Sequence, residues 1–212
     1  MCWINCTVET GYPISHVTVA AFDPDTNQEM KYNERGELRV QSPCSMKEYS
    51  KNPDATNTYF WKDDNGCVWG CTSDMGYVDE DGFVYVLGRV SDSFISSSGK
   101  SFYCFDVEAV IMENPNIAQC EVVGLKTKKG FEIPVAHLIL EDECPLSKLE
   151  LIRQVHDRCV KNLSPDAVPQ GYKIWHTFPV KNNGKQDMEL IKNDCNGFVT
   201  LRKEELKDIL FD

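Results

Sequence analysis

Long apolar runs are missing from this sequence of 212 residues, and so is an excess of positive charge. No run approaches the roughly 20 apolar residues of a membrane-spanning helix, and residues 1–10 lack the basic start and apolar stretch of a signal peptide. Lys and Arg number 22 against 33 Asp and Glu, a net charge of −11, which opposes general binding to nucleic acid or anionic lipid. We therefore expect a cytoplasmic protein with neither a membrane nor a nucleic-acid partner.

Close cysteine pairs are also missing, although the chain has ten cysteines. No CxxC pair occurs, and the closest pairs are Cys2 with Cys6 and Cys67 with Cys71. The four histidines are dispersed, whereas a structural zinc site usually joins two close pairs of ligands. The pattern favours reduced, buried thiols and no metal site, with a cysteine-rich redox or metal module as a remote alternative.

A complete phosphate-binding P-loop is absent as well. Residues 96–101 read SSSGKS and end as such a loop does. The P-loop pattern also has a glycine five residues before Gly99, and this chain has Phe94 there. The segment is therefore not interpreted as a P-loop.

Residues 70–92 are the most informative segment that is present, with the sequence GCTSDMGYVDEDGFVYVLGRVSD. Strand-like residues on both sides of the turn at residues 79–82 predict a hairpin, with Asp74 and Arg89 at its open end. A carboxylate can accept hydrogen bonds from vicinal ribose hydroxyls, and a guanidinium can donate several to hydroxyl or phosphate oxygens. On spacing alone, a plain surface ion pair is the other interpretation.

Ordered motifs along the chain resemble those of the adenylate-forming superfamily, which includes acyl-CoA synthetases, firefly luciferase and the adenylation domains of peptide synthetases. The motifs are GELRVQSPCSMKEYSKNPDAT from Gly36, TSDMGYVDEDGFVYVLGRVSD from Thr72, LSPDAVP from Leu163 and NGK from Asn183. They cover most of the chain. Their common order makes coincidence a poor explanation.

The resemblance implies roles for three residues. Asp74 and Arg89 would bind the ribose of the nucleotide. Lys185 would be the catalytic residue, bridging the substrate carboxylate and the α-phosphate of ATP while negative charge concentrates between them. It follows Asn183 and Gly184, a turn that can project a long side chain away from its own domain.

The resemblance also implies a hinge and a path for the thiol substrate. Ser91 stands where the family has the hinge Asp or Lys, and Ser97, Ser98 and Gly99 would border the path of pantetheine. Besides Ser91, other features depart from the family: Ser73 replaces a glycine, Gln186 and Met188 differ from the usual residues after the lysine, and the loop that contains Ser97 carries one extra serine. These departures indicate a divergent member.

An α+β fold is expected, in two parts and an extension. Residues 1–90 resemble the β-rich end of the family's large domain, a small distorted β-barrel-like unit. Residues 91–192 alternate strands and helices, as in a compact and mobile α+β domain, and residues 193–212 form an extension with a short helix at 201–210. Periodicity and turn residues predict strands at 17–22, 37–41, 117–126, 133–141 and 172–178, a hairpin at 61–72, and helices at 52–60, 105–113 and 148–163.

The function implied by the resemblance is that of a C-terminal fragment of an ATP-dependent carboxylate:CoA ligase. In the whole enzyme, a small-molecule carboxylate attacks ATP with Mg²⁺ to form an acyl-adenylate, and coenzyme A then takes the acyl group. The family's phosphate loop, acid pocket and magnesium ligand lie upstream, in a missing N-terminal part. We therefore expect the isolated chain to be inactive.

Two further alternatives stay open. One is a non-catalytic module of the same fold that binds a nucleotide or a protein partner. The other is a fragment of a ligase that adenylates D-alanine or another amino acid, because such enzymes end with similar NGK motifs. Acid specificity is set upstream in this family, so the motifs predict neither the acid nor whether the acceptor is coenzyme A or a carrier protein.

Overall fold

Short strands form most of the first part of the chain, and longer helices enter in the second. The computed structural model describes residues 8–194 and 196–201, with only the backbone for Val8 and Glu9. The chain divides into two compact units, the first ending at Ser91 and the second beginning at Asp92. None of the helices within the described ranges is long and apolar enough to cross a membrane.

The first unit is an antiparallel sheet with one short helix. Strands pair in the order β1-β6-β5-β3-β2, and β4 pairs with β5. In the described residues the edge strands β1 and β2 do not pair with each other, so this sheet, expected to be barrel-like, is open. The elements are β1 (Val8–Gly11), β2 (Thr18–Phe22), β3 (Gly36–Gln41), α1 (Pro53–Tyr59), β4 (Phe60–Lys62), β5 (Val68–Val78) and β6 (Val84–Arg89).

An acidic turn closes the β5–β6 hairpin, as the sequence predicts. Asp79 Oδ1 accepts hydrogen bonds from the N–H groups of Asp81 at 3.0 Å and Phe83 at 2.8 Å, an arrangement that aspartate commonly makes in turns. Gly82 has φ +87°, which a residue without Cβ adopts readily. The turn leaves Asp74 and Arg89 opposite each other at the open end of the hairpin.

Close packing of the strands explains a second glycine of this hairpin. A Cβ atom added at Gly76 would lie 2.2 Å from the carbonyl oxygen of Tyr85 and 2.6 Å from the side chain of Leu38. Any larger residue would therefore separate β5 from its neighbours. A small apolar cluster lies beside it, formed by Ala21, Leu38, Val78 and Val84.

The second unit combines a mixed sheet with helices. Strand β10 lies in the middle, antiparallel to β9 and parallel to β11, while β7 and β8 form a separate hairpin. The elements are β7 (Ser93–Ile95), β8 (Ser101–Tyr103), α2 (Cys104–Met112), β9 (Ile117–Lys126), β10 (Glu132–Leu140), α3 (Lys148–Asn162), a 3₁₀ turn (Pro165–Ala167), β11 (Gly171–Trp175) and α4 (Met188–Asn193).

Helix α3 shows how sequence signals build this unit. Ser147 and Glu150 form a capping box, in which each side chain accepts a backbone N–H of the other residue, an arrangement that stabilises a helix N-terminus. The apolar face of α3, formed by Leu151, Ile152, Val155 and Cys159, is completely buried. Burial of one such aliphatic side chain contributes on the order of 2 kcal/mol.

The predicted α+β class and most predicted elements are confirmed. The strands and helices expected from periodicity are present with bounds shifted by a few residues at most, apart from the strand predicted at 172–178, which ends at Trp175. The sequence patterns do not predict β1, the β7–β8 hairpin or α4. Of the helix predicted at residues 201–210, everything after residue 201 lies outside the described residues.

Candidate functional site

Asp74 and Arg89 face each other at the open end of the β5–β6 hairpin. They are direct partners in the strand register, and Arg89 Nη1 lies 3.0 Å from Asp74 Oδ1. The Arg89 side chain is 58% exposed and that of Asp74 is 30% exposed. Arg89 Nη1 also donates to the Thr72 carbonyl at 3.1 Å. The structure therefore brings together the two residues that the sequence predicts as a pair.

A bulge in β5 sets the position of Asp74. The register pairs Glu37 with Met75 and Arg39 with Cys71, so residues 72–74 lie opposite Leu38 alone. Such bulges bend a strand and redirect its side chains. The Thr72 hydroxyl donates to the Leu38 carbonyl at 2.7 Å and accepts the Asp74 N–H at 3.1 Å.

The bulge places Ser73 in an unusual backbone conformation. Its φ is +60°, a left-handed value that residues with a side chain adopt rarely and at a cost of about 1–3 kcal/mol. The Ser73 N–H donates to Glu37 Oε1 at 3.2 Å, and the Ser73 carbonyl accepts the N–H of Val90 at 2.9 Å. Hydrogen bonds on both sides therefore hold this residue.

A buried ion pair lies beneath the bulge. Arg39 Nε donates to Glu37 Oε2 at 2.9 Å, and the two side chains are 4% and 11% exposed. Arg39 Nη2 donates to Asn27 Oδ1 at 2.7 Å, and the guanidinium lies 5.0 Å and 4.7 Å from the ring centroids of Phe22 and Trp61. This group contains the functional candidates that the sequence analysis missed. The available signal was that Glu37 and Arg39 stand two apart on a predicted strand and so share a face.

Lys185 lies on a tight turn of the second unit. The Lys181 N–H donates to the Lys185 carbonyl at 2.7 Å, and the Lys185 N–H donates to Asn183 Oδ1 at 3.1 Å. Gly184 has φ +78°. The Lys185 residue itself is exposed, so the turn presents its ammonium group to solvent, as the sequence predicts.

Two acidic side chains of this unit, Glu121 and Glu108, have raised pKa values, and Glu121 is hydrogen-bonded to the turn. Burial raises the pKa of Glu121 to about 6, against a hydrogen bond with Gln186 that lowers it. Burial likewise raises the pKa of Glu108 to about 8, although its Oε1 accepts the Val122 N–H at 2.8 Å. The nearby charge of Asp92 raises both values further. The residue after Lys185 is therefore tied to a carboxyl group that is less acidic than usual.

The loop between β7 and β8 carries the residues predicted to border the thiol path. Ser97, Ser98 and Gly99 are exposed at its tip, and Gly99 has φ +76°. The Ser98 hydroxyl donates to Asp166 Oδ2 at 2.6 Å, which ties the tip to the 3₁₀ turn of the same unit. Ser91, the predicted hinge, is exposed and is the last residue of the first unit.

Metal ligands do not cluster in the part of the chain that the structure describes. It contains no group of three or more His, Cys, Asp or Glu side chains that could hold a metal ion. The predicted site residues thus divide into Asp74 and Arg89 in the first unit, and Lys185 with the β7–β8 loop in the second.

Comparison with known proteins identifies the family. Residues 106–185 match the family of the AMP-binding enzyme C-terminal domain. The chain belongs to the adenylate-forming enzymes, over the C-terminal part of such an enzyme. It spans about a third of the length of the curated relatives it matches.

Individual relatives are acyl-CoA ligases and a luciferase. The chain is 36% identical to a 2-succinylbenzoate–CoA ligase of Bacillus licheniformis over 74% of this chain and 30% of the relative. It is 29% identical to the luciferin 4-monooxygenase of Luciola mingrelica over 82% of this chain and 30% of the relative. An o-succinylbenzoate coenzyme A synthetase from Bacillus subtilis, solved with AMP, matches with a TM-score of 0.65 and 30% identity, over 89% of this chain and 35% of that one.

Proposed function

We propose that the chain is the C-terminal part of an AMP-forming acid–thiol ligase of the acyl-CoA synthetase type. Residues 1–90 would end its nucleotide-binding domain, and residues 91–192 would form its mobile domain. The observation that carries the proposal is the Asp74–Arg89 pair, which is directly opposed across two strands and accessible to a ligand. The relatives that are acyl-CoA ligases support the same proposal.

The chemistry of the pair fits a ribose. The Asp74 carboxylate can accept hydrogen bonds from the 2′- and 3′-hydroxyls, while Arg89 can donate to the same sugar or to the α-phosphate. Both groups are partly solvated, so hydrogen bonds to a sugar would replace bonds that they make with water. An exposed ion pair of this kind contributes only about 0–1 kcal/mol to stability. The pair can therefore be altered without unfolding the protein.

Lys185 would serve the adenylation step. The carboxylate of the acid attacks the α-phosphorus of ATP, pyrophosphate leaves, and an acyl-adenylate forms. Negative charge concentrates between the carboxylate and the α-phosphate in the transition state, so an ammonium group placed there lowers the barrier more than it strengthens substrate binding. The exposed turn around Gly184 lets the lysine extend away from its own unit.

The second step would transfer the acyl group to a thiol. The sulfur of coenzyme A attacks the acyl carbon, a thioester forms and AMP leaves. Ser97, Ser98 and Gly99 would border the pantetheine arm, and rotation about Ser91 would exchange the two steps. We assign the magnesium ligand to the N-terminal part of the enzyme; the described residues of this chain contain no group of side chains that could hold the ion.

Titration of the 212-residue chain with AMP, followed by ¹H–¹⁵N NMR, tests the proposal. We expect the resonances of Asp74 and Arg89 to shift when AMP is added and not when 2′,3′-dideoxy-AMP is added. The Asp74→Asn variant should show no shifts with AMP. Asp81→Asn, an exposed aspartate at the closed end of the same hairpin, is the matched control and should bind normally. Equal responses to the two nucleotides would contradict the ribose assignment.

An activity measurement tests the proposal that the active site is incomplete in this chain. Because the chain spans only about a third of its relatives, we expect no carboxylate-dependent exchange of pyrophosphate with ATP by the chain alone. Clear exchange would show that these residues suffice for adenylation and would contradict that proposal.

A further inference from the structure

The backbone around the Asp74–Arg89 pair depends on a conformation that its sequence disfavours. Ser73 has φ +60°, and a serine there prefers other regions of the backbone map. Asp74 is the next residue, so a change at Ser73 would rotate the peptide that carries the Asp74 carboxylate. Some interaction must therefore hold Ser73 in place.

The Glu37 carboxylate provides that interaction. Its Oε1 accepts the Ser73 N–H, and its Oε2 accepts Arg39 Nε. Each oxygen thus has one donor, and the ion pair with Arg39 limits rotation of the carboxylate. The contact joins residues 36 positions apart in the chain, from β3 to the bulge of β5.

Stability alone does not explain a charged pair at this place. Two buried charges lose their hydration, and well-packed apolar residues often do as well or better in the same space. Arg39 Nη1 is also buried without a hydrogen-bond partner among the described residues. An apolar pair would avoid both penalties, but it would leave the Ser73 N–H without an acceptor.

We propose that Glu37 is a positioning residue for nucleotide binding, which holds Ser73 in its left-handed conformation and thereby directs Asp74 toward the ribose hydroxyls. The inference rests on the proposed function, because Asp74 is the group that touches the ligand. Glu37 acts only through Ser73 and touches no substrate. The bulge lies opposite Leu38, between the two members of the ion pair.

The test compares Glu37→Gln with the wild-type chain by NMR titration with AMP. A glutamine has one oxygen acceptor, so either the Ser73 N–H or Arg39 Nε loses its partner. We expect AMP binding to weaken about tenfold, because without this contact Ser73 leaves its strained conformation in most molecules and Asp74 moves with it. Glu48→Gln, at an exposed position of the same unit, is the control and should leave binding unchanged.

Rescue by glycine separates positioning from a general structural role. Glycine adopts φ +60° without a steric cost, so Ser73→Gly in the Glu37→Gln background should restore AMP binding to within about twofold of wild type. It should not restore the thermal stability that the broken ion pair removes. A double variant that binds as poorly as Glu37→Gln alone would overturn the inference.

A measurement without ligand keeps this inference distinct from the proposed function. In the wild-type chain the Ser73 amide should exchange slowly with solvent, and the Asp74 and Arg89 resonances should move in Glu37→Gln. A rapidly exchanging Ser73 amide, or unmoved Asp74 resonances in the variant, would refute positioning by Glu37 whether or not AMP binds. If the wild type responds equally to AMP and to 2′,3′-dideoxy-AMP while these ligand-free results are obtained, the proposed function is wrong and the positioning of Ser73 by Glu37 is still supported.

Discussion

The two units differ in whether their buried titratable groups are paired with an opposite charge. In the first unit, Glu37 and Arg39 lie inside and neutralise each other through a contact of 2.9 Å. In the second unit, burial pushes single groups toward their neutral forms: it lowers the pKa of His137 to about 4 and raises that of Glu108 to about 8. A buried pair can thus hold a site through its geometry, whereas a buried single group makes stability depend on pH.

The candidate site residues differ in the same way between the units. Asp74 depends on a network that extends through Ser73 to Glu37 and Arg39. Lys185 depends on a local turn, in which Asn183 and Lys181 provide the hydrogen bonds. We therefore expect distant substitutions to disturb the ribose site of the first unit, and only nearby ones to disturb the lysine of the second.

Loss of Lys185 should have the largest effect. In an enzyme reconstituted from this chain and the N-terminal part of a relative, Lys185→Ala should reduce adenylation about 10²–10³-fold, the usual effect of removing one group that stabilises transition-state charge. Thioester formation from a supplied acyl-adenylate should persist. Lys181→Ala, which keeps the backbone N–H that bonds to the Lys185 carbonyl, is the control. Equal loss of both steps would contradict a role confined to adenylation.

Breaking the buried pair of the first unit should have the next largest effect. Glu37→Ala leaves the buried guanidinium of Arg39 without its carboxylate, so the free energy of unfolding should fall by about 3–5 kcal/mol. Replacing both residues at once, by Glu37→Leu with Arg39→Met, should change stability far less. Urea unfolding measures the free energy of unfolding, and the hydrogen exchange of Trp61 and Trp69 reports on the first unit. Equal destabilisation by the single and double changes would show that the pair does not act as a unit.

Acid should destabilise the second unit through His137. Trp175 Nε1 donates to His137 Nδ1 at 2.9 Å, and burial, with a smaller effect of Lys173, lowers the pKa of the imidazole to about 4. The unfolded chain binds the proton near pH 6.5, so the contribution of His137 to stability is full above that pH and falls as pH decreases toward 4. The raised pKa values of Glu108 and Glu121 act in the opposite direction over the same range, so the loss is attributed to His137 by comparison with its titration in the NMR spectrum. The expected loss is about 3 kcal/mol.

Urea unfolding between pH 4 and 7, with the His137 resonances followed by NMR, tests this dependence on acid. Hydrogen exchange of β10 and β11 reports on the second unit, and the same measurement on β3 and β5 serves as the internal control. An imidazole that titrates near pH 6.5 in the folded chain would contradict the prediction.

The exposed pair should have the smallest effect on stability. Arg89→Gln removes the contact with Asp74, and we expect a change below about 1 kcal/mol because exposed ion pairs contribute little. Thermal unfolding measures this, with Arg39→Gln as the buried counterpart in the same sheet. A loss as large as that of the buried variant would show that the Asp74–Arg89 pair is a structural element and not a site kept available for a ligand.

Local patterns predicted most of the fold. The acidic turn at Asp79 and Gly82, the short helix after Asn52 and helix α3 all depend on residues close together in sequence. Asp74 and Arg89 are opposed because they are partners in the same hairpin, so their proximity could be predicted as well. The β7–β8 hairpin was missed because each strand has only three residues, too few to show a periodicity.

The sequence by itself determined the family motifs, the α+β pattern, the exposed turn of Lys185 and the pairing of Asp74 with Arg89. Only the tertiary structure decided three other features: the contact of Glu37 with Ser73, the contact of His137 with Trp175, and the open edge of the first sheet. The physical reason is sequence separation. A turn or helix depends on neighbouring residues, whereas a buried hydrogen bond depends on register and burial, which arise only when distant strands pack together.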